Sequence, residues 1–222
     1  MKKILCLGIE STAHTFGCSI VEFNKNKFNI LSNVRDMLKT EKGGLVPVQI
    51  SEHHLEVFDK VIQEALMKAN KDIKDIELIA FSQGPGIGHA LRIGSVAARS
   101  LALQLNLPLI GVNHCVAHLE IATIYNSTDP VLLYASGANT QVIAYDGGKY
   151  RVFGETLDTG IGNFLDTFAR DLGLGFPGGP KIDEMAQRAK SRNNFQELPY
   201  QVKGMDVSFS GIHTHVRKII PT

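Results

Sequence analysis

Twice in this chain an apolar run breaks at a short polar turn, and a second strand-like run follows at once. Ile4 to Ile9 ends at Glu10-Ser11-Thr12, and Gly17 to Phe23 comes next. Val131 to Tyr134 ends at Ser136-Gly137-Ala138-Asn139-Thr140, and Gln141 to Tyr145 comes next. The two units hold equivalent places in the two halves, a repeat of architecture without obvious sequence identity. Two lobes are therefore expected, over 1–126 and 127–222.

Around these units the pattern fills in. Phe28 to Val34 reads as a third strand, so short turns build an antiparallel meander. A loop at Gly43 and Gly44 leads to Glu52–Ala69, where Leu55, Phe58, Ile62, Leu66 and Ala69 recur at helical spacing. Leu78 to Phe81 is a compact strand, followed by the loop Ser82 to Gly88, a helix over Leu91–Leu105 and a strand over Leu109–Val112. The order β-β-β-α-β-α-β is that of one RNase H-like lobe. In the second half Tyr150 to Glu155 is a third strand, with Asp146-Gly147-Gly148 as its hairpin turn, and Asn163–Leu172 is helical. An irregular stretch then runs to Thr222. By subtraction the closing β-α-β of the second lobe is not encoded, and about a hundred residues are expected to be absent, judged by typical element sizes.

The two turns carry the first chemical signal. Backbone N–H groups in tight turns point at anions, and small side chains let the anion approach. Ser11 and Thr12 in the first turn, and Ser136, Gly137, Ala138 and Asn139 in the second, are the candidates for a nucleotide cleft, although such turns are more often only turns. His114 and His118, at i and i+4, fall on one helical face with Cβ atoms roughly 5–6 Å apart. Such a pair can take one transition metal, be it Zn, Fe or Ni. With eight histidines in the chain, chance pairs also arise. His14, His53, His54 and His89 read as solvated or capping. A zinc protease helix would place Glu directly after its first His. Cys115 stands there, which argues against peptide hydrolysis, and the thiol reads as small and buried. Asp166 lies one turn into a helix. Phe176-Pro177-Gly178-Gly179-Pro180 reads as a tight, exposed backbone, with Asp183 at the start of another helix; an acid beside such a loop could accept ribose hydroxyls. Gly84-Pro85-Gly86-Ile87-Gly88 lacks the Lys-Ser/Thr of a P-loop.

Composition narrows the class. A formal net charge of +1 argues against a chain that grips nucleic acid by itself, since phosphate contacts need a basic excess. Three cysteines without a CxxC pair fit a reducing compartment. No stretch approaches the ~20 apolar residues of a membrane span, and the apolar start is too short for a signal peptide. A cytoplasmic, soluble protein is expected.

Taken in order, GIESTAHTFG, FSQGPGIGHALR, GVNHCVAHLE, YASGANTQVIAY, GETLDTGIGNFLD, FPGGPKID and VKGMDVSFSGI resemble the universal tRNA threonylcarbamoyladenosine (t6A) synthesis family. The resemblance is to its archaeal and eukaryotic branch, the catalytic subunit of the KEOPS complex. It implies an α/β, actin-like ATPase fold of two RNase H-like lobes, the second incomplete. It also implies transfer of threonylcarbamoyl from threonylcarbamoyl-adenylate to N6 of the adenosine 3′ of the anticodon in ANN-reading tRNA. His114 and His118 would ligate one iron or zinc ion, with Tyr134 close to it. Tyr134, Ala135, Ser136, Gly137 and Ala138 would line ATP or the adenylate, joined by Asp166, Gly179 and Asp183. An atypical kinase and a small dimerising protein would be partners.

The sequence departs from the family at three points. Ala138 stands where the usual turn has Gly, which weakens nucleotide binding if that residue needs a positive φ. His89 stands where Pro is common. The family's third ligand, a late Asp in a DNG motif, has no counterpart before Thr222, so the chain alone is expected to be inactive or impaired. Two alternatives compete: a shortened, non-catalytic paralogue that scaffolds the same complex, and an actin-like sugar or acyl kinase without a histidine pair.

Overall fold

A computed structural model describes residues 3–24, 27–39, 46–125, 128–189 and 196–220. The Gly43-Gly44 loop and the expected lobe boundary at 126/127 lie outside the described residues. The chain divides into two compact units, the first running to Ala117 and the second beginning at His118.

In the first unit, strands β1 (Ile4–Glu10), β2 (Thr15–Asn24) and β3 (Lys27–Met37) form the meander, and β4 (Leu78–Gly84) and β5 (Leu109–Asn113) complete a sheet of order β3-β2-β1-β4-β5. The β1–β2 and β2–β3 pairs are antiparallel; β1–β4 and β4–β5 are parallel, each reached through a crossover helix. Helix α1 (Pro47–Ala69) starts five residues before the expected Glu52. Proline near a helix start is tolerated because its missing N–H would have no intrahelical partner. Helix α2 is Gly88–Leu105. Both helices end on an asparagine in the left-handed conformation, Asn70 and Asn106, whose N–H groups return to the last turn.

Alternation along β1 buries Leu5, Leu7 and Ile9, and β2 adds Phe16, Cys18 and Ile20. Val61, Ile62 and Ala65 of α1 close over this layer with Ala97, Ala98 and Ala102 of α2. Each large apolar side chain so buried is worth about 1.5–3 kcal/mol. The small residues on the inner face of α2 let its backbone come close to the sheet. At Gly94 the approach is tightest: a Cβ there would lie 2.0 Å from Ser11 Oγ.

The second unit is built on an antiparallel sheet of order β6-β7-β8, from Val131–Ala135, Thr140–Asp146 and Lys149–Glu155. Gly147 and Gly148, both at positive φ, make the two-residue hairpin that the sequence indicates. Helix α3 (His114–Glu120) spans the division between the units. Helix α4 (Ile161–Asp171) follows the sheet and packs with α5 (Gly178–Arg188) and α6 (Ser210–Ile219). The described residues of the stretch expected to be irregular are therefore structured. They form α5, the two-stranded ribbon β9–β10 (Gln201–Lys203 and Asp206–Ser208) and α6. Thr156 bridges to Val207, attaching the ribbon to the strand-like exit of β8. The elements there are short and little buried: α6 buries only Val216 among its residues, and the ribbon strands have three residues each.

Candidate metal and anion sites

Parallel pairing brings the carboxyl ends of β1, β4 and β5 together. Ile9 pairs with Phe81, so Glu10 and Ser82 come next on neighbouring strands; β5 pairs beside β4, and His114 directly follows β5. Glu10 is the centre of this cluster. Its Oε1 accepts the Thr12 N–H at 2.7 Å and the Thr12 hydroxyl; its Oε2 accepts the Ser82 hydroxyl and faces His114 Nδ1 at 3.3 Å. Burial pushes the carboxyl pKa up, but the hydrogen bonds from His114, Ser82 and Thr12 outweigh it and hold the value at about 2. Glu10 is thus an anion at neutral pH.

Asn113 sets where α3 begins. Its side-chain oxygen accepts the N–H groups of Cys115 and Val116, satisfying donors that a helix start leaves open. His114 and His118 then sit at the first and fifth positions of α3, one turn apart on one face. Cys115 is buried, and burial raises its pKa, in keeping with an inert thiol. In the second unit, the His118 ring lies 5.7 Å from the Tyr134 ring, tilted by 47°.

The two turns expected to form phosphate loops differ from each other. Ser11 and Thr12 are buried. Ser11 lies under Gly94, Thr12 binds Glu10, and the Thr12 carbonyl accepts the Ile87 N–H at 2.7 Å. The first turn is therefore a packed joint, its side chains committed internally. The second turn is more open. Ser136 and Asn139 close it through the Ser136 N–H and the Ser136 hydroxyl, both donating to the Asn139 carbonyl, while Gly137 and Ala138 at its tip are exposed. Ala135 pairs with Thr140 at its base. Its inner side rests on the start of α4, where Ile161 N–H donates to Thr140 Oγ1 at 2.8 Å. A Cβ at Gly160 would come within 2.7 Å of the turn backbone, so only glycine lets the two chains approach this closely. Among described non-glycine residues only Asn70 and Asn106 have positive φ. Ala138 therefore sits in ordinary backbone, with no positive φ to strain an alanine there.

Asp166 lies one turn into α4 as expected, and its Oδ1 accepts the Gly178 N–H at 2.7 Å. Gly178 and Gly179 are not an exposed turn: they form the first turn of α5, with Gly178 buried against Asp166 and Ala169. Asp183 correspondingly falls in the second turn of α5 rather than at its start. It is exposed and accepts from Gln187 Nε2. The helix begins early because the Asp166 carboxylate supplies an external cap. His54, expected to be solvated, is fully buried on the inner face of α1, edge-on to Phe16 and 3.3 Å through Nδ1 from His53 Nδ1; burial lowers its pKa. His53 binds Asp36.

Sequence reasoning passed over Glu10, Ser82, Asn113 and Asp158. Each is polar at the end of an apolar run or in a short connection, a signal too common to select them without knowing the parallel register. Asp158 accepts the N–H groups of Phe209 and Ser210 at the start of α6.

Each imidazole has a polar neighbour within its own unit: His114 Nδ1 faces the Glu10 carboxylate, and the His118 ring lies beside the Tyr134 ring; imidazole donors suit a borderline transition ion. Among the described residues no three His, Cys, Asp or Glu side chains come together as a metal cluster.

Sheet, helices and donor set define a mixed α/β protein with a histidine pair following a parallel strand. The family model described as "TsaD: tRNA N6-adenosine threonylcarbamoyltransferase" matches residues 29–220, and the chain belongs to that family. It is 56% identical over 216 residues to the tRNA N6-adenosine threonylcarbamoyltransferase of Thermococcus sibiricus, covering 97% of this chain and 64% of the relative. It is 51% identical over 212 residues to a probable bifunctional tRNA threonylcarbamoyladenosine biosynthesis protein of Methanothermobacter thermautotrophicus, covering 95% of this chain and 39% of that one. The chain thus spans less than two thirds of the length of these relatives. Among solved structures, YeaZ from Pseudomonas aeruginosa aligns at a TM-score of 0.44 and 14% identity, over 67% of this chain and 65% of that one.

Proposed function

We propose that this chain provides the catalytic core of a tRNA N6-adenosine threonylcarbamoyltransferase, transferring threonylcarbamoyl from threonylcarbamoyl-adenylate to the adenosine 3′ of the anticodon in ANN-reading tRNA. The carrying observation is the histidine pair of α3, its first ring held by Glu10, in a chain 56% identical to a relative bearing that activity's name. In this reading the sheet order β3-β2-β1-β4-β5 is one RNase H-like lobe of an actin-like fold, and the β6–β8 sheet begins the second, with lobes over 1–126 and 127–222.

His114 and His118 hold one iron or zinc ion, with Tyr134 beside it. When bound, the metal supplies positive charge that stabilises an oxygen anion developing on the acyl group or phosphate. The exposed turn of Gly137 and Ala138, with Tyr134, Ala135 and Ser136 leading into it, receives the ATP or adenylate phosphates. Asp166, Gly179 and Asp183 stand on the ribose side. Ser11 and Thr12 act at one remove, by holding the first turn and Glu10 in place. The near-neutral charge fits a subunit that docks tRNA with KEOPS partners, an atypical kinase and a small dimerising protein, in the cytoplasm. Among the described residues no helix is long and apolar enough to cross a membrane. The scaffold alternative is not favoured, since the chain retains both histidines and its relatives carry the transferase name.

The test is a transfer assay with threonylcarbamoyl-adenylate and an ANN-anticodon tRNA, run on the chain alone and within a polypeptide of its relatives' full length. Digested tRNA is read by mass spectrometry for t6A, and the protein for bound iron and zinc. Metal uptake with t6A formation, both lost in His114→Ala, is the expected result. Absence of both in the complete protein overturns the reading.

A further inference from the structure

The carboxylate of Glu10 is more fully committed than a strand-end glutamate needs to be. Two donors from Thr12 fix Oε1, and Ser82 fixes Oε2 from the neighbouring strand. A carboxylate so held cannot turn to follow the His114 ring; the ring must settle against it. His114 Nδ1 does so at 3.3 Å. A neutral imidazole has one N–H and one lone pair, on different nitrogens. An anion at Nδ1 places the N–H there and the lone pair on Nε2.

We propose that Glu10 is a positioning residue that selects the Nδ1–H tautomer of His114 and so offers Nε2 to the metal. The proposal rests on the metal reading above and adds to it a residue outside the ligand set. Thr12 and Ser82 belong to the same device, because they stop the carboxylate from rotating away. Partners of this kind, placed behind a ligating histidine, change metal affinity by 10–100-fold when removed.

Glu10→Gln is a sharp test because it is nearly isosteric. The Thr12 backbone N–H can only donate, so it claims the new amide oxygen at the Oε1 position. The amide NH2 is then left at the Oε2 position, where Ser82 can rotate to accept from it and where it donates to His114 Nδ1. The lone pair is driven to Nδ1 and the N–H to Nε2, the inverse of the wild-type form. In metal-free, 15N-labelled chain, with the pH raised until the ring shifts stop moving, the ring nitrogen shifts report the tautomer. His114→Gln identifies the signals.

Expected is Nδ1–H in the wild type, Nε2–H in Glu10→Gln, and 10–100-fold weaker zinc binding in that variant by competition with a chromophoric chelator. An unchanged tautomer in Glu10→Gln, or unchanged zinc affinity in a variant whose wild type binds zinc, overturns this inference alone. A wild-type chain with the Nδ1–H form that takes up no zinc, even in the complete protein, overturns the metal reading and this inference with it.

Discussion

Gly162 donates its backbone N–H to the Ser136 carbonyl at 3.0 Å, and a Cβ on Gly162 would fall 2.9 Å from the same oxygen. The exposed turn between β6 and β7 is thus set by backbone lying directly on backbone at the start of α4. Gly162→Ala is expected to push the turn outward and to destabilise the second unit by about 1–3 kcal/mol, the usual range for overpacking. Thermal denaturation measures the loss. If the turn receives an adenylate as proposed, adenylate affinity should fall as well, because Gly137 and Ala138 move with the turn.

The contact between Gly94 and Ser11 gives a second prediction, in the first unit. Gly94→Ala places a methyl 2.0 Å from Ser11 Oγ and 2.9 Å from Ser11 Cβ, both buried. A loss of about 1–3 kcal/mol is expected. Ser11→Gly removes both clashing atoms, so the double variant should recover part of the loss. A double-mutant cycle from denaturant melts measures the coupling, and strict additivity would show that the two residues do not meet.

Asp166 separates a structural role from a binding role. Its Oδ1 caps α5 through Gly178. Asp166→Asn keeps an acceptor and should leave the melting temperature nearly unchanged, whereas Asp166→Ala should cost about 1 kcal/mol, as cap removals do. If the carboxylate also meets the ribose, Asp166→Asn should weaken adenylate binding while leaving stability intact. Equal adenylate affinity in wild type and Asp166→Asn would confine Asp166 to its capping role.

Stability against acid should report on Asp158. Desolvation raises its pKa, but the N–H groups of Phe209, Ser210 and Thr159 outweigh this and hold it well below the usual carboxylate range. A depressed folded pKa contributes stability that is present above the unfolded value, near pH 4, and is lost as the pH falls below it toward the folded value. Asp158→Ala should therefore melt lower than wild type at pH 7, by about 1 kcal/mol. The gap should narrow steadily below pH 4. A gap independent of pH would remove the carboxylate from the attachment of α6.

Much of the architecture was legible in the residues alone. The short apolar run Ile4 to Ile9 and helical spacing in Leu55, Phe58, Ile62 and Leu66 are local consequences of burial, so they mark β1 and α1 directly. The hairpin at Gly147 and Gly148 was legible because few residues accept positive φ. The pair His114 and His118 was legible for a similar reason, since i,i+4 spacing is a property of one helix. What the linear pattern could not rank was which of many polar residues would meet. Glu10 and Ser82 are 72 positions apart, and Glu10 and His114 are 104 apart. Only the parallel register of β1, β4 and β5 makes them neighbours.

By itself, then, the order of residues determined the secondary elements up to α4, the meander, the histidine pair and the family, because each depends on short-range periodicity or on strings of adjacent residues. Tertiary packing alone decided the fate of the polar positions. It buried Ser11 beneath Gly94, turned Asp166 into a cap for α5, folded Gly178 and Gly179 into a helix, and set Glu10 against His114. The physical reason is that hydrogen bonds are satisfied by whatever donor or acceptor packing brings within about 3 Å, and that choice is made between segments far apart along the chain.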